Sequence, residues 1–337
     1  MIFERMIIMN DALPLRHRLP NISAKAYEHP ADRAATAALR SIPMLDIVVR
    51  RLIEFGYERA YRQMFLGNSV RIGPDQLPKI WDSYLHVLDT LDMPEQYELY
   101  ISQTPIANAF TFGSQQPVIV LNSGLISLLD ESQLQSVLAH EVGHILSDHV
   151  MYRTALMILL AFGQVAGLPV FVGLPIVGIR LALLEWFRAA ELSCDRAATL
   201  VVRDPLIVCR TMMNLAGGST SEELNLDAFI KQAMEYEEWD NNFDKASRFF
   251  LEIGVTHPFP VRRVSEVMKW VQSGDFDRVI RGEYPKRDDP VRSTHHMGDA
   301  FEFYTERFQD IFEEAGQGVQ TFGQQVADWL RGENQKI

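Results

Sequence analysis

The chain has 337 residues, more than one ordinary domain, and 47% of them are hydrophobic, ample for a packed core. Acidic residues outnumber basic ones 44 to 32, the formal net charge is −12 and no basic run stands out, so nucleic acid is not an expected partner. Cys194 and Cys209 offer no disulfide framework, and the first ten residues, interrupted by Glu4, are too short an apolar run for a signal peptide; both point to a reducing, cytoplasmic setting.

Residues 1–28 show no period and are broken by Pro14 and Pro20. Residues 31–40 and 43–65 read as helices, the second with Leu45, Val48, Leu52 and Phe55 at helical spacing. This front segment, residues 1–74, is expected to wrap the core. After a turn-rich stretch at 67–74, Ile80, Tyr84, Val87, Leu88 and Leu91 place a further helix over about 76–91. Three short β-branched or aromatic runs follow, at 97–102, 106–112 and 117–121. Pro105, Gly113 and Gly124 punctuate them, which predicts a small sheet.

A His140-Glu141-Val142-Gly143-His144 pentad lies inside a helical pattern over residues 131–149, with apolar Leu134, Val137, Leu138, Val142, Ile145 and Leu146 and a capping Asp130. Residues four apart share a helix face, with Cβ atoms roughly 5–6 Å apart, so His140 and His144 can chelate one ion. Glu141 is rotated by about 100° from His140. It falls beside the ion, where a carboxylate can take a proton from an activated water.

A catalytic zinc usually takes three protein ligands and keeps one open position, so a third donor must come from elsewhere. Residues 154–187 are almost wholly apolar, with Arg180 the one charge between Ala155 and Leu184. Gly163, Gly167, Pro169, Gly173, Pro175 and Gly178 interrupt the run and suggest a helical hairpin with arms of about 13–15 residues, short of a full span. It is read as buried or interfacial, touching a membrane surface without crossing it, with a transmembrane pair as the alternative. The helical pattern at 185–198 then puts Glu191 and Asp195 one turn apart. Glu191 could complete a His-His-Glu set, and Asp195 could hold a ligand histidine by its other ring nitrogen. Pairing of Glu191 with Arg188, or of Asp195 with Arg196, is the surface alternative. Ala189, Ala190, Ala197 and Ala198 argue against it, since small residues suit close helix packing.

Downstream, helices are expected at 205–215, 226–239 and 261–271, with a loop at 217–221 and a charged linker at 274–294. His295 and His296 have no partner at ligand spacing. Phe301, Tyr304, Phe308, Ile311, Val319, Phe322 and Trp329 make an amphipathic helix of the tail, residues 297–331.

The pairing of His140-Glu141-x-x-His144 with Glu191-x-x-x-Asp195, together with Asn108-Ala-Phe-Thr-Phe-Gly113 and Thr256-His-Pro-Phe-Pro-Val-Arg-Arg263, resembles the gluzincin endopeptidases of the HtpX and CaaX-prenyl-protease type. The resemblance covers about residues 75–272. It implies a mainly helical α+β fold, a zincin-like metallopeptidase core with a small edge-strand sheet. It implies one Zn2+ held by His140, His144 and Glu191, with Glu141 as general base and His257 stabilising the tetrahedral intermediate. It also implies a protein or peptide substrate lying along an edge strand at Asn108 and Ala109. Spacing alone supplies a zinc hydrolase; the resemblance supplies a peptidase. A hydrolase of non-peptide amides or esters and an inactive metal-binding scaffold are the rival readings.

Overall fold

The computed structural model describes residues 17–41, 49, 58–113, 116–162, 170–218, 223–238 and 258–289. In chain order the elements are α1 (Pro30–Ser41), α2 (Glu58–Asn68), β1 (Ser69–Arg71), α3 (Pro78–Thr90), β2 (Glu98–Ser102), β3 (Ala109–Phe112), β4 (Val118–Asn122), α4 (Ser123–Leu128), α5 (Glu131–Leu146), α6 (Val150–Phe162), α7 (Val170–Val202), α8 (Pro205–Gly217), α9 (Leu226–Glu238), α10 (Pro260–Gln272) and α11 (Asp275–Ile280). The fold is mainly helical with one small sheet, as the sequence implied.

The sheet has the order β1-β2-β4-β3, with β2 and β4 parallel and the other two pairings antiparallel. All five residues of β4 are buried, which is why Val118-Ile-Val-Leu-Asn122 shows no polar alternation: it is covered on both faces. β3 lies at the sheet edge, where the sequence placed the candidate substrate strand. β1 and α4 were not foreseen. Ser69–Arg71 is too short to show a period, and α4 follows β4 without an intervening turn residue.

α5 starts with a capping box: Asp130 accepts from the Gln133 amide at 2.9 Å, and the Gln133 side chain accepts from the Asp130 amide at 3.2 Å. Its apolar face, Leu134, Leu138, Ala139 and Val142, meets Ala197, Ala198 and Val201 of α7 in the main core. The two helices approach so closely that a Cβ on Gly143 would sit 3.0 Å from the Ala197 Cβ. The alanines of α7 therefore do what the sequence suggested: they let the two site-bearing helices touch.

Two segments differ from expectation. The apolar run forms α6 and α7, but Gly173, Pro175 and Gly178, expected to break it, lie within α7. Pro175 falls in the second turn, where it costs one backbone hydrogen bond, and the long remainder of the helix carries it. The expected linker at 274–294 contains α11, whose Phe276, Val279 and Ile280 are core residues. At the other end, Leu19, Ile22 and Tyr27 join the same core, and Arg196 donates to the carbonyls of Tyr27 and Glu28. Among the described residues, no helix is long and apolar enough to cross a membrane. The expected tail helix, His257, His295, His296 and most of residues 43–57 lie outside the described residues.

Candidate metal centre

α5 presents His140, Glu141 and His144, and α7 crosses it to present Glu191 and Asp195. Glu191, fully buried, lies between the two histidines: its Oε2 is 3.3 Å from His140 Nε2 and its Oε1 3.1 Å from His144 Nε2. Three ligand atoms, one from each residue, fall within 4.8 Å of one another. The surface alternative does not occur. Arg188 pairs with Glu185 within α7, and Arg196 lies over the Trp270 ring while holding the Tyr27 and Glu28 carbonyls.

Each histidine is held by its other nitrogen. His140 Nδ1 is 3.0 Å from Asp195 Oδ1. Arg263, from the first turn of α10, grips that carboxylate with two bonds of 2.8 and 2.6 Å and reaches Glu191 at 3.5 Å. His144 Nδ1 is 3.2 Å from His149 Nδ1, and His149 Nε2 is 3.1 Å from Asp32 Oδ2 in α1. Glu141 is also buried; its Oε2 accepts from Thr111 Oγ1 of β3 at 2.7 Å and from Arg153 Nη1 of α6 at 2.9 Å.

The electrostatics follow from this packing. Burial works to lower His140, but Glu191 and Asp195 outweigh it and raise it to about 9. His144 is driven the other way, well below its usual value, by burial and the nearby Arg153 charge. Burial opposes ionisation of Asp195, yet the Arg263 guanidinium holds its carboxyl below the ordinary range. Around the histidines, the buried carboxylates of Asp32, Glu141, Glu191 and Asp195 face two buried guanidinium groups, Arg153 and Arg263. Neutral histidines would leave an excess of two negative charges in a site of low dielectric, which a divalent cation balances. Two imidazole nitrogens and one carboxylate are a donor set that suits zinc, so the residues fit the ion.

Beside the histidines, Asn108 and Ala109 at the start of β3, Val137 of α5 and Met212 of α8 line a cavity of about 50 Å³ with His140 and Glu141. The expected edge strand thus borders the pentad. Sequence reasoning assigned no role to Arg263, Arg153, Thr111, His149 or Asp32. A charged residue in the apolar α6 was a signal for Arg153, because a buried guanidinium must find a partner. Arg263 stood in the quoted Thr256–Arg263 stretch without a role. Nothing near Asp32 in sequence pointed to a site on α5.

Two helical histidines, a glutamate from a crossing helix and a glutamate beside the first histidine form a group that could hold a metal ion, as a metal-dependent hydrolase requires. The comparisons narrow this class. The model of peptidase family M48 matches residues 75–271, and the chain belongs to that family. It is similar to the plastoglobule-localized metallopeptidase 48 of Arabidopsis thaliana, chloroplastic, with 34% identity over 280 residues, 77% of this chain and 76% of the relative. Protease HtpX homologs also match over shorter stretches. That of Tropheryma whipplei strain Twist is 29% identical over 93 residues, 27% of this chain and 32% of its own, and that of Acidiphilium cryptum 28% over 140 residues, 35% and 49%. No solved structure matches. The chain is a metallopeptidase, and its substrates are proteins or peptides.

Proposed function

We propose that the ion is zinc, held by His140, His144 and Glu191, and that the chain is an endopeptidase acting in protein quality control or processing. The observation that carries this reading is the convergence of three ligand atoms within 4.8 Å next to Glu141 and an edge strand. Bound zinc supplies Lewis acidity, which lowers the pKa of water and polarises a carbonyl. Glu141 takes the proton of the attacking water and returns it to the leaving amine. Thr111 and Arg153 both bond its Oε2, which fixes the carboxylate and leaves Oε1 to accept that proton. Extended substrate adds to β3 at Asn108 and Ala109 through main-chain bonds, which read sequence weakly. His257 binds the developing oxyanion; its support is its place in the Thr256-His-Pro stretch, which leads into Arg263 at the metal site.

Residues 17–41 and 275–289 are taken as part of the catalytic unit, because Leu19, Ile22, Tyr27, Phe276, Val279 and Ile280 share its core and Asp32 of α1 accepts from Ser193 of α7. Contact with a membrane surface through the apolar run at 154–187 is also proposed, in a cytoplasmic protein. Fractionation with a carbonate wash tests the membrane contact: release supports surface contact, whereas retention in the pellet, or a chain that never pellets, contradicts it. For the activity, purified protein is given denatured casein and small esters, with and without chelator. Casein cleavage lost to chelator and restored by stoichiometric zinc supports the reading. Ester hydrolysis with casein left intact contradicts it.

A further inference from the structure

Glu191, Asp195 and Arg263 belong to the part of the chain that matches the family, but one side of the centre is built from outside it. α1 brings Asp32, 1% exposed, against α7 and the turn after α5 that carries His149. Its Oδ2 accepts from Ser193 Oγ at 2.6 Å and lies 3.1 Å from His149 Nε2, while its Oδ1 accepts from Thr36 Oγ1 at 3.2 Å. Thr36 in turn accepts from the Trp186 indole at 2.8 Å, and the His149 ring meets Trp186 edge-on at 5.5 Å. Asp32 and His149 are therefore fixed on every side.

With both rings neutral, the carboxylate of Asp32 sets the hydrogen-bond roles along this row. A carboxylate only accepts, so His149 Nε2 carries a proton and donates to Asp32. In a neutral ring the opposite nitrogen is then bare and accepts, from His144 Nδ1 at 3.2 Å, with the Cys194 thiol a weaker donor at 3.7 Å. A proton on His144 Nδ1 leaves its Nε2 with a lone pair, aimed at the point where Glu191 and His140 converge. We propose that Asp32 is a positioning residue of the metal centre, acting through His149 to hold His144 in the tautomer whose Nε2 binds the ion. The inference rests on His144 being a ligand. It makes metal retention depend on docking of α1, a helix outside residues 75–271.

Cys194 Sγ lies 3.7 Å from His149 Nδ1, so His144, His149 and Cys194 are themselves a possible ligand group. A second ion there would displace the proton between the two histidines. Burial pushes the Cys194 thiol up well above its usual value, the surrounding carboxylates add to it, and the number of ions held per chain decides between the two arrangements.

The test measures zinc affinity of the full chain by competition with a chelating dye, with zinc counted per chain. Wild type is expected to hold one ion. Asp32→Asn keeps the shape but removes the negative charge opposite His149, and affinity should fall roughly 10–100-fold, the size of losses from the outer partners of ligand histidines. His149→Leu should lose a similar amount, and the double variant no more than the weaker single one, because the two act along one row. Ser193→Ala, which touches the same Asp32 oxygen outside the row, should stay within about threefold. Histidine ring-nitrogen NMR on zinc-loaded wild type needs no variant and should find protons on His149 Nε2 and His144 Nδ1. The opposite tautomers, two ions per chain, additive losses in the double variant, or Asp32→Asn binding as wild type would each overturn the inference. A wild type that binds no zinc would instead remove the metal reading, and this inference with it.

Discussion

The two histidines of the pentad are one turn apart on α5, yet they are held by different means. His140 is fixed by a charged pair, Asp195 gripped by Arg263, and both residues lie within the family match. His144 is fixed by a second imidazole, His149, backed by a single buried carboxylate from α1. Both arms reach far along the chain, the first to a guanidinium on α10 and the second through the His149 ring to a carboxylate on α1. A motif of five residues names the donors, but their orientation depends on α1, α6, α7 and α10 closing around them. The arms are also tied to each other: His29, three residues before Asp32, bonds Glu266, three residues after Arg263, at 3.0 Å.

The largest effect is expected from breaking the charged arm. Arg263→Met strips the counter-charge from Asp195 and Glu191, and removing one partner of a buried ion pair costs about 3–5 kcal/mol. Urea unfolding should show that loss in the metal-free protein and a smaller one with zinc, which supplies positive charge at the same place. An equal loss in both states would mean that Arg263 does not share its electrostatic role with the ion.

Next comes independence of the arms. Asp195→Ala should weaken zinc binding about 10–100-fold, or about 1.4–2.7 kcal/mol, without abolishing it. Because Asp195 and Asp32 orient different histidines, Asp195→Ala combined with Asp32→Asn should lose close to the sum of the single changes. Dye competition on the three variants reads this directly, and a combined loss no larger than either alone would merge the two arms into one network.

The smallest effect concerns the tie between them. Burial favours the neutral Glu266 carboxyl, but hydrogen bonds from His29 and Lys269 and their charges prevail and hold it down to about 2. A carboxyl whose folded pKa is depressed stabilises the protein above its unfolded value, near 4.5, and that stability is lost as pH falls from there towards 2. The group is partly exposed, so solvent screening discounts the contribution to about 1 kcal/mol. Glu266→Gln should lower the melting temperature slightly at pH 7 and flatten its fall between about pH 4.5 and 2. An acid limb as steep as that of wild type would show that the tie is not what titrates.

Much of this arrangement was legible in the sequence because it is encoded locally. Helical spacing put His140 and His144 on one face, alanines announced the close crossing of α5 and α7, and short punctuated runs gave the strands that include the β3 edge. What stayed hidden is set by tertiary closure. Asp32 reads as an ordinary acidic residue in the first turn of a helix, and only the docking of α1 on α7 gives it a histidine partner. His149 ends the quoted pentad stretch but has no ligand spacing, because its role is to touch His144 rather than the ion. The stretch at 274–294 looked like a linker because its charges outnumber its apolar residues, whereas Phe276, Val279 and Ile280 share one face of α11 and suffice to anchor it in the core. Within 170–202, glycines and a proline suggested breaks that the length of α7 overrides.

The account as a whole turns on Glu141, the pentad carboxylate that stands beside the chelating pair. The direct measurement is zinc content and casein cleavage in the same preparation of Glu141→Gln. With the ligand set intact, the variant should hold one zinc per chain as tightly as wild type and cleave casein at least about 10²–10⁴-fold more slowly, the usual loss on removing a general base. Near wild-type cleavage by the zinc-loaded variant would contradict the assignment of Glu141 and with it the mechanism built on this centre.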